Sequence, residues 1–298
     1  MNKERIIDTY TSGFSGSLLI ITVAVHGNEP SGINALKNVF KILNQRSPKI
    51  EGKIIGIIGN SEALKKKVRF IDEDLNRTWI KNKIEKNKNL TSEELEMHDI
   101  IDKIKGIQNN KFSQTYFIDC HTTSSASLPY ISVQQLGENN RWAQQFPIHI
   151  IRGFSDIVTG TIDGYLSNQG YTGFTVEAGQ HNDLNSEQYH EGCIWIALQE
   201  ACGLDFNQLP DIPQAVLKTM NDTPAQKTFN IIHRFGLQEN DDFKMEPGFK
   251  NFQSIERGEH IAMLNGKKIN SVWDAFIFMP LYQPQGNDGF FIVEEIKS

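Results

Sequence analysis

Residues 18–30 read LLIITVAVHGNEP, and this stretch decides the fold. Its first eight residues are apolar or β-branched, a pattern typical of a strand that is buried on both faces of a sheet. A loop should begin at His26, and Pro30 suits the entrance to a helix because its fixed φ fits the first turn. Apolar residues at helical spacing over 31–45 then complete a unit of strand, loop and helix.

The same alternation of buried strands and helices continues as far as Cys202. It predicts an α/β domain whose mostly parallel, mixed sheet carries one layer of helices on each face. Further candidate strands are 53–60, 116–121, 130–133, 148–151 and 173–176, and candidate helices begin at Ser92, with a capping pattern, and at Glu187.

The sequence pattern changes after Gly203, where prolines separate short apolar runs such as 229–233, 261–264 and 290–293. Short strands separated by turns are typical of a small β domain. The sequence therefore predicts an α/β domain over residues 1–206 and a C-terminal β domain over residues 207–298.

The composition excludes several classes of partner. A formal net charge of −6 over 298 residues argues against a nucleic-acid-binding protein. The longest apolar stretch, 18–25, is too short to span a bilayer, and residues 1–10 show no secretory pattern. The three cysteines lack the paired spacing of a metal or redox motif, which favours a reduced setting. We therefore predict a cytoplasmic protein without a membrane or nucleic-acid partner, and leave a homo-oligomer open.

Polar residues stand where several predicted strands end. Ligands in open α/β sheets gather at the carboxyl ends of the strands, so these residues are candidates for function. His26 and Glu29 follow the first strand, and His121 ends another. Two histidines and one glutamate form a ligand set of catalytic zinc, which leaves a position for water or substrate. The sequence predicts one Zn²⁺ per chain here, although cobalt or nickel accept the same ligands.

Glu177, at the end of the strand 173–176, is the natural general base, because zinc lowers the pKa of a bound water. Asp119 lies two residues before His121, so strand alternation points both side chains to one side, where the carboxylate could orient the imidazole. A capping or solvent-facing Asp119 is the alternative. The other histidines show no comparable context and receive no role.

A loop over residues 69–77 contains Arg69, Asn76 and Arg77. Guanidinium groups bind carboxylates through two hydrogen bonds and can stabilise an oxyanion. Taken alone, the pattern is more typical of arginines that are solvated or paired with a neighbour such as Asp72.

Together these segments resemble the succinylglutamate desuccinylase and aspartoacylase family of zinc carboxypeptidase-like metallohydrolases. The resemblance rests on four motifs in the family order, with a weaker likeness near the C-terminus. The motifs occupy residues 26–30, 69–77, 119–123 and 175–179, and the weaker likeness lies at 279–282 and 289–291.

The resemblance implies a three-layer α/β/α catalytic domain and a C-terminal β domain that narrows the entrance to the site. It implies hydrolysis of the amide bond of a small N-acyl amino acid or a related acidic amide. In the family pattern, Arg69 would polarise the scissile carbonyl, and Asn76 with Arg77 would hold a substrate carboxylate. The implied metal ligands and general base are the residues named above: His26, Glu29 and His121 for zinc, and Glu177 as base and later acid.

Two departures from the family pattern concern the substrate. Aspartoacylases carry a further arginine shortly before the catalytic glutamate, whereas residues 165–169 read YLSNQ. The C-terminal tyrosine of the family has no equivalent within 283–289, although Tyr282 is close. Both departures argue against N-acetylaspartate as the substrate.

Two other functions fit the same residues. A metallocarboxypeptidase acting on short peptides would also use Asn76 and Arg77, and the opening left by residues 207–298 distinguishes it. A binding protein that retains zinc without turnover is the other alternative. Glu177 argues against the second, because a structural zinc site needs no general base.

Overall fold

A computed structural model describes residues 5–107, 112–134, 137–223 and 225–296. Residues 1–4 of the N-terminal segment 1–10 therefore lie outside the described residues, as do the last two residues of the predicted C-terminal domain. The strands of the first two thirds of the chain are β1 (Ile6–Tyr10), β2 (Phe14–Val23), β3 (Glu51–Ile58), β4 (Thr115–Thr123), β5 (Tyr130–Ser132), β6 (His149–Arg152) and β7 (Thr172–Gln180).

Helices alternate with these strands. They are α1 (Ser31–Arg46), α2 (Ser61–Lys66), α3 (Lys81–Ile84), α4 (Ser92–Ile107), α5 (Glu138–Ala143), α6 (Ile162–Asn168) and α7 (Leu184–Cys202). Short 3-10 turns occur at Leu75–Arg77, Phe154–Asp156 and Phe206–Gln208. The later elements are α8 (Gln214–Asp222), β8 (Thr228–Gly236), β9 (Phe243–Met245), β10 (Gln253–Ile255), β11 (His260–Leu264), β12 (Lys267–Asn270), β13 (Ala275–Phe278) and β14 (Asp288–Glu295).

Within the described residues, eleven strands form one sheet in the order β1-β3-β2-β4-β7-β5-β6-β8-β14-β13-β10. The neighbours β3, β2, β4 and β7 run parallel, whereas β5 joins β7 antiparallel and β8, β14, β13 and β10 pair antiparallel. Strands β12, β11 and β9 form a separate antiparallel sheet. The predicted fold class, a mostly parallel mixed sheet with a smaller β part, is confirmed.

Alternation along β2 supplies two cores on opposite faces of the sheet. Leu19 and Ile21 pack in one cluster with residues of α1 and α7, while Leu18 and Ile20 pack in another with residues of α4 and α6. All four side chains are fully buried. Because successive side chains of a strand point to opposite faces, an uninterrupted apolar run requires a helix layer on each side.

The loop after β2 begins earlier than the apolar run predicts. The strand ends at Val23 rather than Val25, because Ala24 adopts a φ of 52°, which turns the chain out of the sheet. Gly27 follows, and a Cβ there would lie 2.1 Å from the carbonyl carbon of Ala63. Only glycine therefore allows the loop to pack against α2 and hold His26 at the edge of the sheet.

The chain after residue 206 first forms α8, which packs on α7, and its strands begin only with β8. Strand β8 runs parallel to β6, so the large sheet continues without a break into the C-terminal part. Tyr130 and Ile151 share a buried cluster with Phe229 and Phe291, which joins both parts. The division at residue 206 stays a prediction. No helix in the described part of the chain is long and apolar enough to cross a membrane.

Candidate metal centre

His26, Glu29 and His121 meet at the carboxyl ends of β2 and β4. All three are buried, and one ligand atom from each lies within 4.8 Å of the other two. Oε1 of Glu29 lies 2.9 Å from Nδ1 of His26, and Oε2 lies 3.2 Å from Nδ1 of His121. We call this group the ion site. Its buried set of two nitrogen donors and one carboxylate fits a divalent ion such as zinc.

Each histidine of the ion site has a second carboxylate on its far side. Nε2 of His121 lies 2.7 Å from Oδ2 of Asp119, and Nε2 of His26 lies 3.0 Å from Oδ1 of Asp74. A carboxylate behind a histidine fixes the orientation of its ring and raises the basicity of the opposite nitrogen. Both Nδ1 atoms are thereby directed at Glu29.

These contacts hold the ion site as a network of alternating charges. Burial lowers the pKa of His121, but Asp119 and Glu29 outweigh it and hold that pKa well above its ordinary value. Burial raises the pKa of Glu29, but His26 and His121 outweigh burial and hold that pKa well below its ordinary value. The network satisfies buried ionisable groups that would otherwise carry a large desolvation cost.

Arg69 lies beside the ion site and is held by a carboxylate. Its Nη2 donates a hydrogen bond of 2.9 Å to Oδ2 of Asp74, and its Nη1 is 3.8 Å from Oε1 of Glu29. The partner is thus Asp74 rather than Asp72, the neighbour considered from sequence. Asp74 contacts both Arg69 and His26, so it ties the predicted electrophilic arginine to a predicted metal ligand.

The buried carboxylate of Glu93, in the first turn of α4, holds the loop that carries both arginines. It accepts hydrogen bonds from the backbone N–H groups of Ile71, Asp72 and Glu73, at 2.7, 3.0 and 3.3 Å. Charge-assisted bonds of this kind are stronger than neutral ones. Glu93 therefore anchors a loop that has no regular secondary structure of its own before its 3-10 turn.

Glu177 faces the ion site from β7, where it lies opposite His121 in the parallel register. Its Oε2 is buried and has no hydrogen-bond partner in the described residues. Burial raises the pKa of Glu177 to about 8. A cation held at the ion site would favour the ionised form, so this carboxylate is placed to exchange a proton.

Asn76 and Arg77 lie next to the ion site, but each already has partners. Oδ1 of Asn76 accepts a hydrogen bond of 2.8 Å from the backbone N–H of Ile162. Nη2 of Arg77 lies 3.6 Å from Oδ2 of Asp288, whose Oδ1 accepts a hydrogen bond from Arg234. Arg77 thus reaches the pocket beside an acidic residue from β14.

The pocket above the ion site has a cavity of about 230 Å³. Segments after β13 form one wall, with Met279, Leu281, Gln283 and Asp288 in the lining. The side-chain oxygen of Gln283 lies 3.2 Å from Nε2 of His181, and His181 in turn contacts Thr122 at 2.8 Å. The C-terminal part of the chain therefore bounds the pocket from the side opposite the parallel strands.

The structure brings six of the predicted site residues into the lining of this pocket: His26, Glu29, Arg69, Arg77, His121 and Glu177. Asn76 lines an adjoining cavity, and Asp119 lies behind His121. Sequence reasoning assigned no role to Asp74, Glu93, His181 or Asp288. Asp74 could have been identified from the sequence, because it lies inside the motif that contains Arg69. The others come from elements distant in sequence, and no spacing pattern indicates them.

Fold and site together define a protein of the zinc-carboxypeptidase-like fold class, as predicted. The chain matches the model of the succinylglutamate desuccinylase/aspartoacylase catalytic domain over residues 15–192, more than half of its length. It therefore belongs to this family, and the resemblance of its motifs is confirmed.

Individual relatives are distant. The chain is 24% identical to a succinylglutamate desuccinylase of Shewanella woodyi over 289 residues, covering 91% of this chain and 80% of that protein. It is 36% identical to a probable aspartoacylase of Prochlorococcus marinus over 108 residues, 36% of this chain and 35% of the relative. Matched segments span 19% to 80% of the curated relatives' own length.

Solved structures show the same fold. A succinylglutamate desuccinylase/aspartoacylase from Rhodobacter sphaeroides aligns with a TM-score of 0.70 at 15% identity, covering 96% of this chain and 87% of that one. Murine aminoacylase 3 aligns with a TM-score of 0.65 at 13% identity, covering 95% of this chain and 96% of that one. At these identities the likeness concerns the fold alone.

Proposed function

We propose that the chain is a zinc-dependent hydrolase that cleaves the amide bond of a small N-acyl amino acid. One observation carries the proposal. The buried ligand atoms of His26, Glu29 and His121 lie within 4.8 Å of one another, and the unpaired carboxylate oxygen of Glu177 lies in the same pocket. Family membership supports a deacylase class.

His26, Glu29 and His121 would hold one zinc ion per chain. Zinc bound there supplies a Lewis acid and lowers the pKa of a water that it binds. Glu177 accepts the proton of the attacking water and later delivers it to the leaving nitrogen, which needs a carboxylate whose pKa lies near the working pH. Asp119 keeps His121 in the orientation that directs Nδ1 to the ion.

Arg69 and Arg77 would contact different groups of the substrate. The guanidinium of Arg69, beside Glu29, is close enough to the ion site to polarise the scissile carbonyl and stabilise the oxyanion that forms. Arg77, with the amide nitrogen of Asn76, would hold the α-carboxylate, because a planar guanidinium matches a carboxylate through two hydrogen bonds.

The size of the pocket favours small substrates over peptides. The cavity of about 230 Å³ is below the roughly 300–1,000 Å³ typical of pockets for drug-sized ligands. Residues 279–291 bound it on one side, so little room remains for residues beyond the scissile bond. A cytoplasmic location and any homo-oligomer stay part of this proposal.

The test is hydrolysis by purified protein across N-acyl amino acids that vary in acyl group and side chain, with short peptides as a second panel. We expect activity on N-acyl amino acids that disappears on chelation and returns with zinc. Activity confined to peptides would favour the metallocarboxypeptidase, and zinc binding without turnover on either panel would favour the binding protein.

A further inference from the structure

A second part of the pocket adjoins the ion site between β5, β7 and α6, with a cavity of about 80 Å³. We call it the inner pocket. Its lining includes the two ion-site histidines, the guanidinium groups of Arg69 and Arg77, and several apolar side chains. It also includes hydroxyl and carboxyl groups, which belong to Tyr130, Ser132, Thr161, Asp163 and Thr175.

The register of two strands fixes the layout of the inner pocket. On the paired strands β5 and β7, Tyr130 lies opposite Glu177 and Ser132 lies opposite Thr175. Thr175 and Glu177 are two residues apart on one face, so their Cα atoms lie roughly 6.6 Å apart. The inner pocket therefore begins one side-chain length from the reacting groups, within reach of the side chain of a bound amino acid.

Asp163, at the start of α6, is part of the lining. It is 2% exposed, and its carboxylate accepts hydrogen bonds from the backbone N–H of Gly164 at 2.8 Å and the hydroxyl of Thr175 at 2.9 Å. Among the ion pairs of the described residues, none includes Asp163. The carboxylate is thus buried without a positively charged partner.

Such a carboxylate retains capacity for a ligand. Its two oxygens carry four lone pairs, and even with the nearby hydroxyl of Thr161 as a third donor, at least one stays free. Burial raises the pKa of Asp163, and the negative charge of Asp119 adds to the effect. An isolated buried charge costs free energy that a cation can offset. The buried hydroxyl of Tyr130, which has no partner in the described residues, is a second unsatisfied group in the same pocket.

The two cations that line the inner pocket already have carboxylate partners. Arg69 is paired with Asp74, and Arg77 lies 3.6 Å from Asp288 and serves the α-carboxylate in the proposed function. The segment 165–169, YLSNQ, contains no arginine or lysine. A second substrate carboxylate in the inner pocket would face the buried carboxylate of Asp163, and both guanidinium groups of the lining already have carboxylate partners.

We propose that the inner pocket binds a protonated amine through Asp163, so that the substrate is an amino acid acylated on its α-nitrogen and carrying a free ammonium group on its side chain. This inference rests on the proposed function. It names a substrate class opposite in charge to an acidic amide.

The experiment compares Nα-acetyl-lysine and Nα-acetyl-ornithine with Nα-acetyl-norleucine and Nα-acetyl-glutamate as substrates of the zinc-loaded full chain. Norleucine matches lysine in shape but lacks the charge. We expect kcat/KM for the better ammonium substrate to exceed that for the norleucine derivative at least about tenfold, because a buried charge pair is lost in the latter.

Replacing Asp163 with Asn tests the residue itself. The substitution keeps the size of the side chain and one acceptor oxygen, which can serve Thr175, and gives up the acceptor that serves the backbone N–H of Gly164. We expect the ratio of kcat/KM between lysine and norleucine derivatives to fall at least about tenfold in Asp163→Asn. Asp102→Asn, an exposed position on α4, is the matched control and should keep the wild-type ratio.

The outcomes separate the two proposals. Hydrolysis of the glutamate or norleucine derivative at least as efficiently as both ammonium substrates would overturn this inference and leave the proposed function standing. A ratio that Asp163→Asn does not change would also overturn it. No zinc-dependent hydrolysis of any N-acyl amino acid, with other acyl groups included, would contradict the proposed function itself. The wild-type ratio decides the inference even if the variant does not fold.

Discussion

The two halves of the large sheet contribute to the pocket in different ways. The parallel half supplies the ion site and Glu177, all from the carboxyl ends of β2, β4 and β7. The antiparallel half, with β13 and β14, supplies a wall that contains Met279, Leu281 and Phe291. One half carries charged groups in a fixed network, and the other mainly bounds the space above them.

The difference follows from strand direction. Parallel strands all end at one edge of the sheet, so residues distant in sequence meet there with their backbones already fixed. Antiparallel strands end at alternate edges, so the groups they bring to one edge come from loops between strands. We therefore expect substitutions in the parallel half to affect the chemical step and ion binding, and those in the antiparallel half to affect substrate binding.

The largest effect is expected for Glu177→Gln, which removes the proton acceptor and keeps the shape of the side chain. Loss of a general base costs about 10²- to 10⁴-fold in kcat. The zinc content should stay at one ion per chain, because Glu177 is not among the proposed ligands. Steady-state kinetics and metal analysis of the same sample check this, and unchanged kcat would contradict the assigned role.

Glu93→Gln should destabilise the loop of the parallel half. The substitution replaces a carboxylate that accepts three backbone N–H groups by an amide that offers only one acceptor oxygen. Bonds to charged groups contribute about 1.5–3 kcal/mol, so we expect the free energy of unfolding to fall by about 2 kcal/mol. Urea unfolding measures it, and Glu85→Gln, at an exposed position, is the control. Equal stability of the two variants would exclude an anchoring role.

Asp119→Asn should weaken zinc binding without removing a ligand. The amide cannot hold the His121 ring as the carboxylate does at 2.7 Å, and loss of such a partner typically costs about 10- to 100-fold in metal affinity. Competition with a chelator of known affinity measures the change. Asp211→Asn, at an exposed position, should bind zinc like the wild type. Wild-type affinity in Asp119→Asn would show that Asp119 serves packing alone.

The smallest effect is expected in the antiparallel half, for Asp288→Asn. Asp288 places a negative charge 3.6 Å from Arg77, where it opposes a substrate carboxylate. Since partly exposed ion pairs contribute only about 0–1 kcal/mol, KM should fall by about twofold to fivefold. Kinetics over a range of substrate concentrations test this. A rise in KM would mean instead that Asp288 positions Arg77 for binding.

Most of the fold and the core of the site were predictable from sequence. The apolar run before His26 had to be buried on both faces, and polar residues after such runs had to gather at one edge. The strand boundary was wrong by two residues because Ala24 turns at a positive φ, which no apolar pattern reveals. Helix α8 was missed because prolines flank the segment and the whole region was predicted as short strands and turns, although the helix does have one apolar face.

The sequence by itself determined the class of fold and predicted the ion-site residues and the proposed general base, because local patterns and strand ends express them directly. Only the tertiary structure decided which carboxylate stands behind His26, which one anchors the arginine loop, and that Asp163 lines the inner pocket. These contacts join elements that are far apart in the chain. Which residues meet depends on strand register and helix packing, and neither produces a periodic pattern in the sequence.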